Sequence, residues 1–210
     1  MSQVKRTILI GLLATATATG GCAVAGFWAS VFAPPKTIQA KYELEPEGKV
    51  LVLVDDLGKP TGYEKIKRLL TEKVNLLLLD NGAADKVVSY EDIFRLAASR
   101  PDFNRMGISN VAKKLGANQI IYVHLDEFSL KDDSNISLWH GKLGVLVRVV
   151  DASGKTQWPA DRPSGHKPGT SETPEIDNTS ATYGATVAAQ LADDMALKIA
   201  RLFYKHTLPR

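Results

Sequence analysis

The sequence predicts a mixed α/β domain, with a sheet of about four to five strands and helices packed on it. Continuous apolar runs rich in β-branched residues predict the strands, and apolar residues recurring every three or four positions predict the helices. Their order is β-α-β-α-α-β-β-β-α, which is typical of helices layered on a sheet. The chain has 210 residues, of which 44% are hydrophobic, so it can bury a core of ordinary size.

The first half of the domain is predicted to alternate strands with helices. Residues 50–54 form a fully apolar run of the kind found in buried central strands. A helix over 60–80 and a short strand follow. Ser89 and Asp92 have the spacing of a capping box and open the next helix. A last short helix is expected to end at Gly116, because glycine favours helix C-caps.

The second half is predicted to be antiparallel. Long strands are expected over 119–130 and 138–150, and the second alternates apolar with polar residues as a half-buried strand does. The turn residues 151–154 then lead into a returning strand over 156–158. Trp139 and Trp158, with Tyr122 and Phe128, are expected to cluster on this part of the sheet.

That aromatic cluster is interpreted as core packing. An exposed binding platform is the alternative, since Trp and Tyr are enriched at binding hot spots.

Residues 159–181 carry four prolines and no hydrophobic period, so they are predicted to form a long mobile loop. The chain closes with a helix over 182–206 that is expected to dock on the sheet. The alternative is that its apolar stripe binds a partner. A single domain is therefore expected over 49–210, and residues 23–48 are interpreted as a tether in front of it.

The amino-terminal segment 1–22 is predicted to be an export signal. Lys5 and Arg6 precede a short apolar run, and small residues lead from there to Cys22, the one cysteine of the chain. This pattern resembles a bacterial lipoprotein signal, in which the cysteine is lipidated. Two alternatives remain, an uncleaved single span within 7–35 and simple cleavage with release. All three place the body outside the cytoplasm, attached to the membrane in the first two.

The charge distribution gives no support for nucleic-acid binding. The chain has 26 basic and 23 acidic residues. Lys5, Arg6 and Lys36 precede the first acidic residue, Glu43, so 26 − 3 = 23 basic residues face 23 acidic ones beyond residue 36. The body is neutral, and no basic stripe interleaved with aromatics follows the chain.

No catalytic motif or cofactor-binding motif is recognisable in the sequence, and no catalytic residue or cofactor is predicted. The weak candidates for a metal site are His124 and His140, which could face each other across the two long strands, together with Asp126. Asp55, Asp56 and Asp80 resemble the acidic residues of a response-regulator receiver. Only 25 residues separate Asp55 from Asp80, too few for the βαβ unit of about 30 residues that a receiver needs there.

The chain resembles a group of uncharacterised bacterial envelope lipoproteins. The matching pieces are the signal ending at Cys22 and the segments 50–56, 116–123, 147–154 with 158–159, and 199–206. More distantly it is similar to the small α/β domain of the TolB amino terminus, LpoB, PelC and CsgG.

The resemblance implies a non-enzymatic accessory or assembly role, with an envelope protein bound at a sheet edge or at 159–181. The alternative is a metal- or ligand-dependent envelope enzyme that uses His124 and His140.

Overall fold

The computed structural model describes residues 36–56, 60–131, 138–178, 180 and 182–207. The described chain falls into two compact units. The small one contains residues 36–38, with the short strand β1 (Thr37–Ile38), and Thr207; the large one spans Gln39–His206. The signal segment 1–22 and Cys22 lie outside the described residues.

The large unit is built on a mixed sheet, which confirms the predicted fold class, although the main sheet has six strands rather than four to five. The strands are β2 (Lys49–Asp55), β3 (Lys86–Val87), β4 (Gln119–Ser129), β5 (Leu138–Trp139), β6 (Lys142–Asp151), β7 (Thr156–Trp158), β8 (Thr170–Glu172), β9 (Ile176–Asp177) and β10 (His206–Thr207). The main sheet has the order β3-β2-β4-β6-β7, and β8 also pairs with β6. Strand β2 is parallel to β3 and β4, whereas β6 is antiparallel to β4. Strands β5 and β9 form a separate two-stranded sheet.

Among the described residues, four α-helices pack on the sheet: α1 (Lys65–Asp80), α2 (Tyr90–Ser99), α3 (Ile108–Leu115) and α4 (Tyr183–Ala200). The predicted capping box is confirmed, since the Ser89 hydroxyl accepts a hydrogen bond from the Asp92 N–H at 3.1 Å. Gly116 ends α3 with φ +66°, a conformation that costs glycine little. Asp80 is the last residue of a helix rather than the end of a strand, which agrees with the rejection of a receiver domain.

The two faces of the sheet bury separate cores. On the first face, α1 and α4 pack over fully buried residues of the central strands, among them Val52, Val123 and Val147. On the second face, α2 and α3 cover a smaller cluster that includes Leu51, Ile120 and Tyr122. Helices on both faces thus bury the part of this mixed sheet in which β2 pairs in parallel with β3 and β4. None of the helices in the described ranges is long and apolar enough to cross a membrane.

The strand predicted over 138–150 is broken at His140 and Gly141. Gly141 lies against Val187 and Leu191 of α4, and a Cβ there would be only 2.5 Å from a Val187 methyl. Its N–H and C=O instead bond Thr173, at 2.9 and 3.0 Å. The backbone therefore leaves the main sheet here. The alternation of apolar and polar residues over 138–150 does not show that the first two residues pair with a different strand from the rest.

The expectation of a structureless loop over 159–181 is wrong for its middle part. His166 forms a bridge with Val147, and β8 pairs with the start of β6. Ser171 is fully buried, and the β8 carbonyl of Thr170 accepts a hydrogen bond from Lys198 of α4. Each of these pairings is only one to three residues long, and the prolines around them are typical of a loop. The sequence therefore did not predict them.

The tether predicted over 23–48 ends earlier than expected. Leu44 is buried in the first core, and Tyr42 packs against it. The N–H groups of Lys41 and Tyr42 both donate to the Leu202 carbonyl, at 2.7 and 3.1 Å. The compact unit therefore begins at Gln39 rather than at residue 49.

Candidate functional site

The second face of the sheet carries an uncovered polar area. In the described part of the chain, the helix-covered cluster on this face stops at Leu53 and Tyr122. Beyond them, the next residues on the same face are only half-buried or exposed; they are His124, Glu127, Leu146 and Arg148. On the opposite face of the same strands, Leu125, Val145 and Val147 are buried. We call His124, Glu127, Leu146 and Arg148 the open sheet surface.

A hydrogen-bonded network lies at the base of the open sheet surface. The register of β2 and β4 places Asp55 beside His124, and His124 Nδ1 is 3.0 Å from Asp55 Oδ1. Tyr122, only 7% exposed, also hydrogen-bonds Asp55. Arg148 of β6 stands opposite Tyr122, with its guanidinium carbon 4.8 Å from the centre of the ring. Three strands thus contribute to one cluster.

The electrostatics of this network keep Tyr122 neutral. Burial raises the pKa of the Tyr122 hydroxyl far above its usual range, and the neighbouring Asp55 carboxylate raises it further, while Arg148 opposes the shift. The phenol therefore stays a hydrogen-bond donor to Asp55. Its position is fixed by burial on one side and by the guanidinium on the other.

A segment of the predicted loop forms one rim of the open sheet surface. Arg148 Nη1 donates to the Pro163 carbonyl at 3.3 Å. Gly165, at φ +112°, lies so close to Arg148 and the Val147 carbonyl that a Cβ would meet both at 3.1 Å. On the β4 side, a bulge after Leu125 inserts Asp126, whose carboxylate is 3.5 Å from Lys167. The rim thus contacts both Arg148 on β6 and the bulge on β4.

The predicted cross-strand pair of His124 and His140 is wrong. The register places His124 opposite Leu146, six residues along the chain from His140, or about 20 Å at the rise of a strand. His140 instead faces Glu175, with 3.8 Å between His140 Nδ1 and Glu175 Oε1. Asp126 pairs with Lys167. Within the described ranges, no three His, Cys, Asp or Glu side chains are grouped as metal ligands.

The four aromatic residues expected to cluster are divided between the two faces. Tyr122 belongs to the second core, whereas Trp139, Phe128 and Trp158 contact the first. Trp139 is buried edge-on against Tyr183 and donates its indole N–H to the Asn178 carbonyl at 2.7 Å. The interpretation as core packing holds, but as two cores rather than one cluster.

The sequence did not predict a second polar contact, which joins His166 and Lys41 beside Trp158. His166 packs against the Trp158 ring, with 5.1 Å between ring centres, and its Nε2 accepts a hydrogen bond from Lys41 Nζ at 3.1 Å. Burial lowers the pKa of His166, and the charges of Lys41 and Arg162 lower it further. His166 is therefore a neutral structural histidine that ties the rim to the start of the domain.

Comparisons with known proteins yield structural likenesses only. No known protein family matches the sequence, and no curated protein matches it. Among solved structures, the PelC dodecamer from Paraburkholderia phytofirmans matches with a TM-score of 0.41 at 12% identity, over 80% of this chain and 96% of that one. Lipoprotein GNA1162 from Neisseria meningitidis gives 0.39 at 12% identity, over 71% and 98%. A minor lipoprotein from Acinetobacter baumannii gives 0.39 at 12%, over 73% and 89%.

Likenesses of this size carry no information about the activity or the partners of this chain. The resemblance to the TolB, LpoB and CsgG domains stays a prediction.

Proposed function

We propose that this chain is an envelope lipoprotein, held at a membrane by a lipid on Cys22, and that its α/β domain is a non-enzymatic module that binds another folded envelope protein. The signal pattern that ends at Cys22 supports the attachment. The open sheet surface supports the binding role. This surface is the one observation on which the binding half of the proposal rests.

The contrast between the two faces of β4 and β6 favours recognition at the open sheet surface. The first face is buried under α4, while the second leaves Leu146 and Glu127 accessible beside a fixed Arg148. Side chains that are already held in place lose little conformational entropy on binding, which favours affinity. A surface prepared in this way is suited to a partner.

The edges of the main sheet are poorer docking sites than its face. At one edge β3 is two residues long, and at the other β7, the bridge at His166 and β8 are separate short pieces. Short and interrupted edge strands hinder strand addition by another chain. We therefore assign the partner to the open sheet surface and its rim rather than to a free edge.

The charges of the open sheet surface define the kind of partner. Glu127 and Arg148 have opposite signs, so the surface offers no strong field of either sign. The partner is expected to present a mixed polar face with an apolar contact for Leu146, and not a strongly acidic or basic one. Binding should therefore depend only weakly on salt concentration.

Site-specific photo-crosslinking in the native host tests this assignment. A photoreactive amino acid at Glu127, on the open sheet surface, is expected to give a covalent adduct with one envelope protein. The same amino acid at Glu91, an exposed position on α2, is the matched control and should give none. The captured protein, once purified, should bind the wild-type chain and lose at least about tenfold in affinity for Leu146→Glu, because that change replaces the apolar contact with a carboxylate that must lose its water on binding.

Two results would contradict the binding role. One is equal adduct formation from Glu127 and Glu91, which would indicate random encounter. The other is unchanged affinity of Leu146→Glu, provided that its circular dichroism and Tm match those of the wild type. Deleting 159–181 would be a poor test, because it would remove β8 and the buried Ser171 and so damage the fold.

A further inference from the structure

A basic cavity lies away from the open sheet surface, where the turn Phe103–Arg105 meets the start of α3. It is an open surface pocket of about 420 Å³, and the side chains of Arg105, Lys113 and Lys114 in it are exposed to solvent. It is lined by Arg100, Asp102, Arg105, Asn110, Lys113 and Lys114, together with Met106 and Gly107. Four of these side chains are cations and one is an anion, whereas the body beyond residue 36 has equal numbers of basic and acidic residues overall.

Most of the positive charge in this basic cavity is uncompensated. Arg100 is paired with Asp102 by two hydrogen bonds of 3.0 and 3.2 Å, and this pairing holds the pKa of Asp102 below its usual range. Arg105, Lys113 and Lys114 make no side-chain hydrogen bond or ion pair with any residue in the described ranges. Lys114 attracts the Asp102 carboxylate and helps to lower its pKa, so the repulsion between like charges falls mainly on Arg105 and Lys113. A bound anion would relieve that repulsion.

The chemistry of the walls selects the anion. Ammonium and guanidinium groups with an amide side chain match the several oxygens of a phosphate group, and arginine in particular binds phosphate through two parallel hydrogen bonds. Gly107 leaves its wall open, since a Cβ there would meet nothing within 4 Å. Asp102 would repel the anion, but Arg100 already neutralises it.

We propose that the basic cavity is a binding site for a phosphate-bearing anion, either a soluble phosphate or the headgroup of an anionic lipid. The proposal goes beyond the binding module described above and does not depend on it. Arg105 and Lys113 supply the principal charges, and Asn110 and Lys114 complete the wall.

Lysine acetylation of the full chain in dodecyl maltoside micelles tests the proposal, with Lys113 and Lys114 as reporters. At a pyrophosphate concentration about ten times its Kd, only about a tenth of the sites are empty, so acetylation of both lysines should slow about tenfold. In a parallel arm, micelles containing phosphatidylglycerol are compared with micelles containing phosphatidylcholine. Protection by pyrophosphate identifies a soluble phosphate, and protection by phosphatidylglycerol alone identifies a headgroup.

Controls separate a specific site from general attraction. Lys65 and Lys86 are exposed lysines on α1 and β3 and should keep their acetylation rates. Arg105→Gln should abolish the protection, whereas Arg68→Gln, the same change on α1, should not. If Arg105→Gln lowers the Tm, Asn110→Asp replaces it, because it adds a repelling carboxylate to the same wall. Equal slowing of all four lysines, or no slowing of Lys113 and Lys114 in either arm, would overturn the proposal.

Discussion

His124 illustrates how one contact determines the state of a side chain. An ionised carboxylate can only accept hydrogen bonds, so His124 Nδ1, at 3.0 Å from Asp55, must carry the proton. In the neutral ring, Nε2 is then left as an acceptor on the open sheet surface. Asp55 thereby sets what His124 offers to a partner.

The tautomer of His124 is directly measurable. In the neutral ring, the nitrogen-15 shifts should report the proton on Nδ1 in the wild type. In Asp55→Ala the proton should move to Nε2, the form that a free imidazole prefers in water. Asp161→Ala, far along the chain, should leave the shifts unchanged. Identical shifts in the wild type and Asp55→Ala would show that Asp55 does not orient the ring.

The sequence could place the individual residues of this site but not their partners. His124 and Asp126 are candidates because of their residue types, yet their contacts depend on strand register and on the bulge after Leu125. The juxtaposition of Asp55 and His124 had no usable signal, because His124 lies in the middle of the predicted strand over 119–130 and nothing in the sequence paired that strand with 50–54. Arg148 and the segment around Gly165 had none either, because their contacts are set by tertiary structure alone.

At the scale of elements, the hairpin between β6 and β7 is the best predicted feature. The turn residues 151–154 predict this hairpin. In the structure, the Asp151 N–H donates a hydrogen bond to the Lys155 carbonyl at 3.0 Å. The Asp151 carboxylate accepts from the Ser153 hydroxyl, the Lys155 N–H, the Gln157 amide and the Ser153 N–H. Together these donors lower the pKa of Asp151 to about 2.

This hairpin should contribute stability that depends on pH. The folded pKa lies below the unfolded value of about 3.9, so the contribution is fully present above about pH 4 and is lost as the pH falls through about 2. The Tm difference between the wild type and Asp151→Asn should therefore be largest near neutral pH and shrink towards pH 2. Ser153→Ala should reproduce part of the effect in thermal melts. A Tm difference that stays constant down to pH 2 would contradict this role.

Elements with a hydrophobic period or a turn signal were predictable, including the short strands β3 and β7. Strand β4 lies within one residue of its expected bounds, whereas α1 begins five residues later and α4 ends six residues earlier than expected. Strands β5, β8 and β9 have only two or three residues each, too few to show a period. Strands β5 and β8 contact α4 through Trp139 and Thr170, and β9 is held by its pairing with β5.

On the scale of the whole molecule, the domain begins earlier than its first long strand. Leu44 is 8% exposed within the first core, although its neighbours in sequence are polar. A single apolar residue between charged ones has no periodic signal, so the sequence could not distinguish this segment from a tether. The start of the domain is thus set by tertiary packing.

Leu44 provides the test of that boundary. Leu44→Ala should destabilise the domain by about 2–3 kcal/mol, the usual cost of removing a buried leucine side chain. Glu43→Ala, at the exposed neighbouring position, should leave the free energy of unfolding within about 0.5 kcal/mol of the wild type. Urea denaturation of both variants measures the difference. If Leu44→Ala and the wild type had equal free energies of unfolding, residues 39–48 would belong to the tether and not to the domain.

Attachment to the membrane is proposed to depend on Cys22, and one measurement tests this directly. Labelled palmitate is fed to the native host, and the wild type and Cys22→Ala are compared for incorporation and for membrane fractionation. We expect label and membrane attachment in the wild type and the loss of both in the variant, because one lipidated residue holds the chain. Unlabelled protein that stays in the membrane at full length in both forms would contradict the account and indicate an uncleaved span.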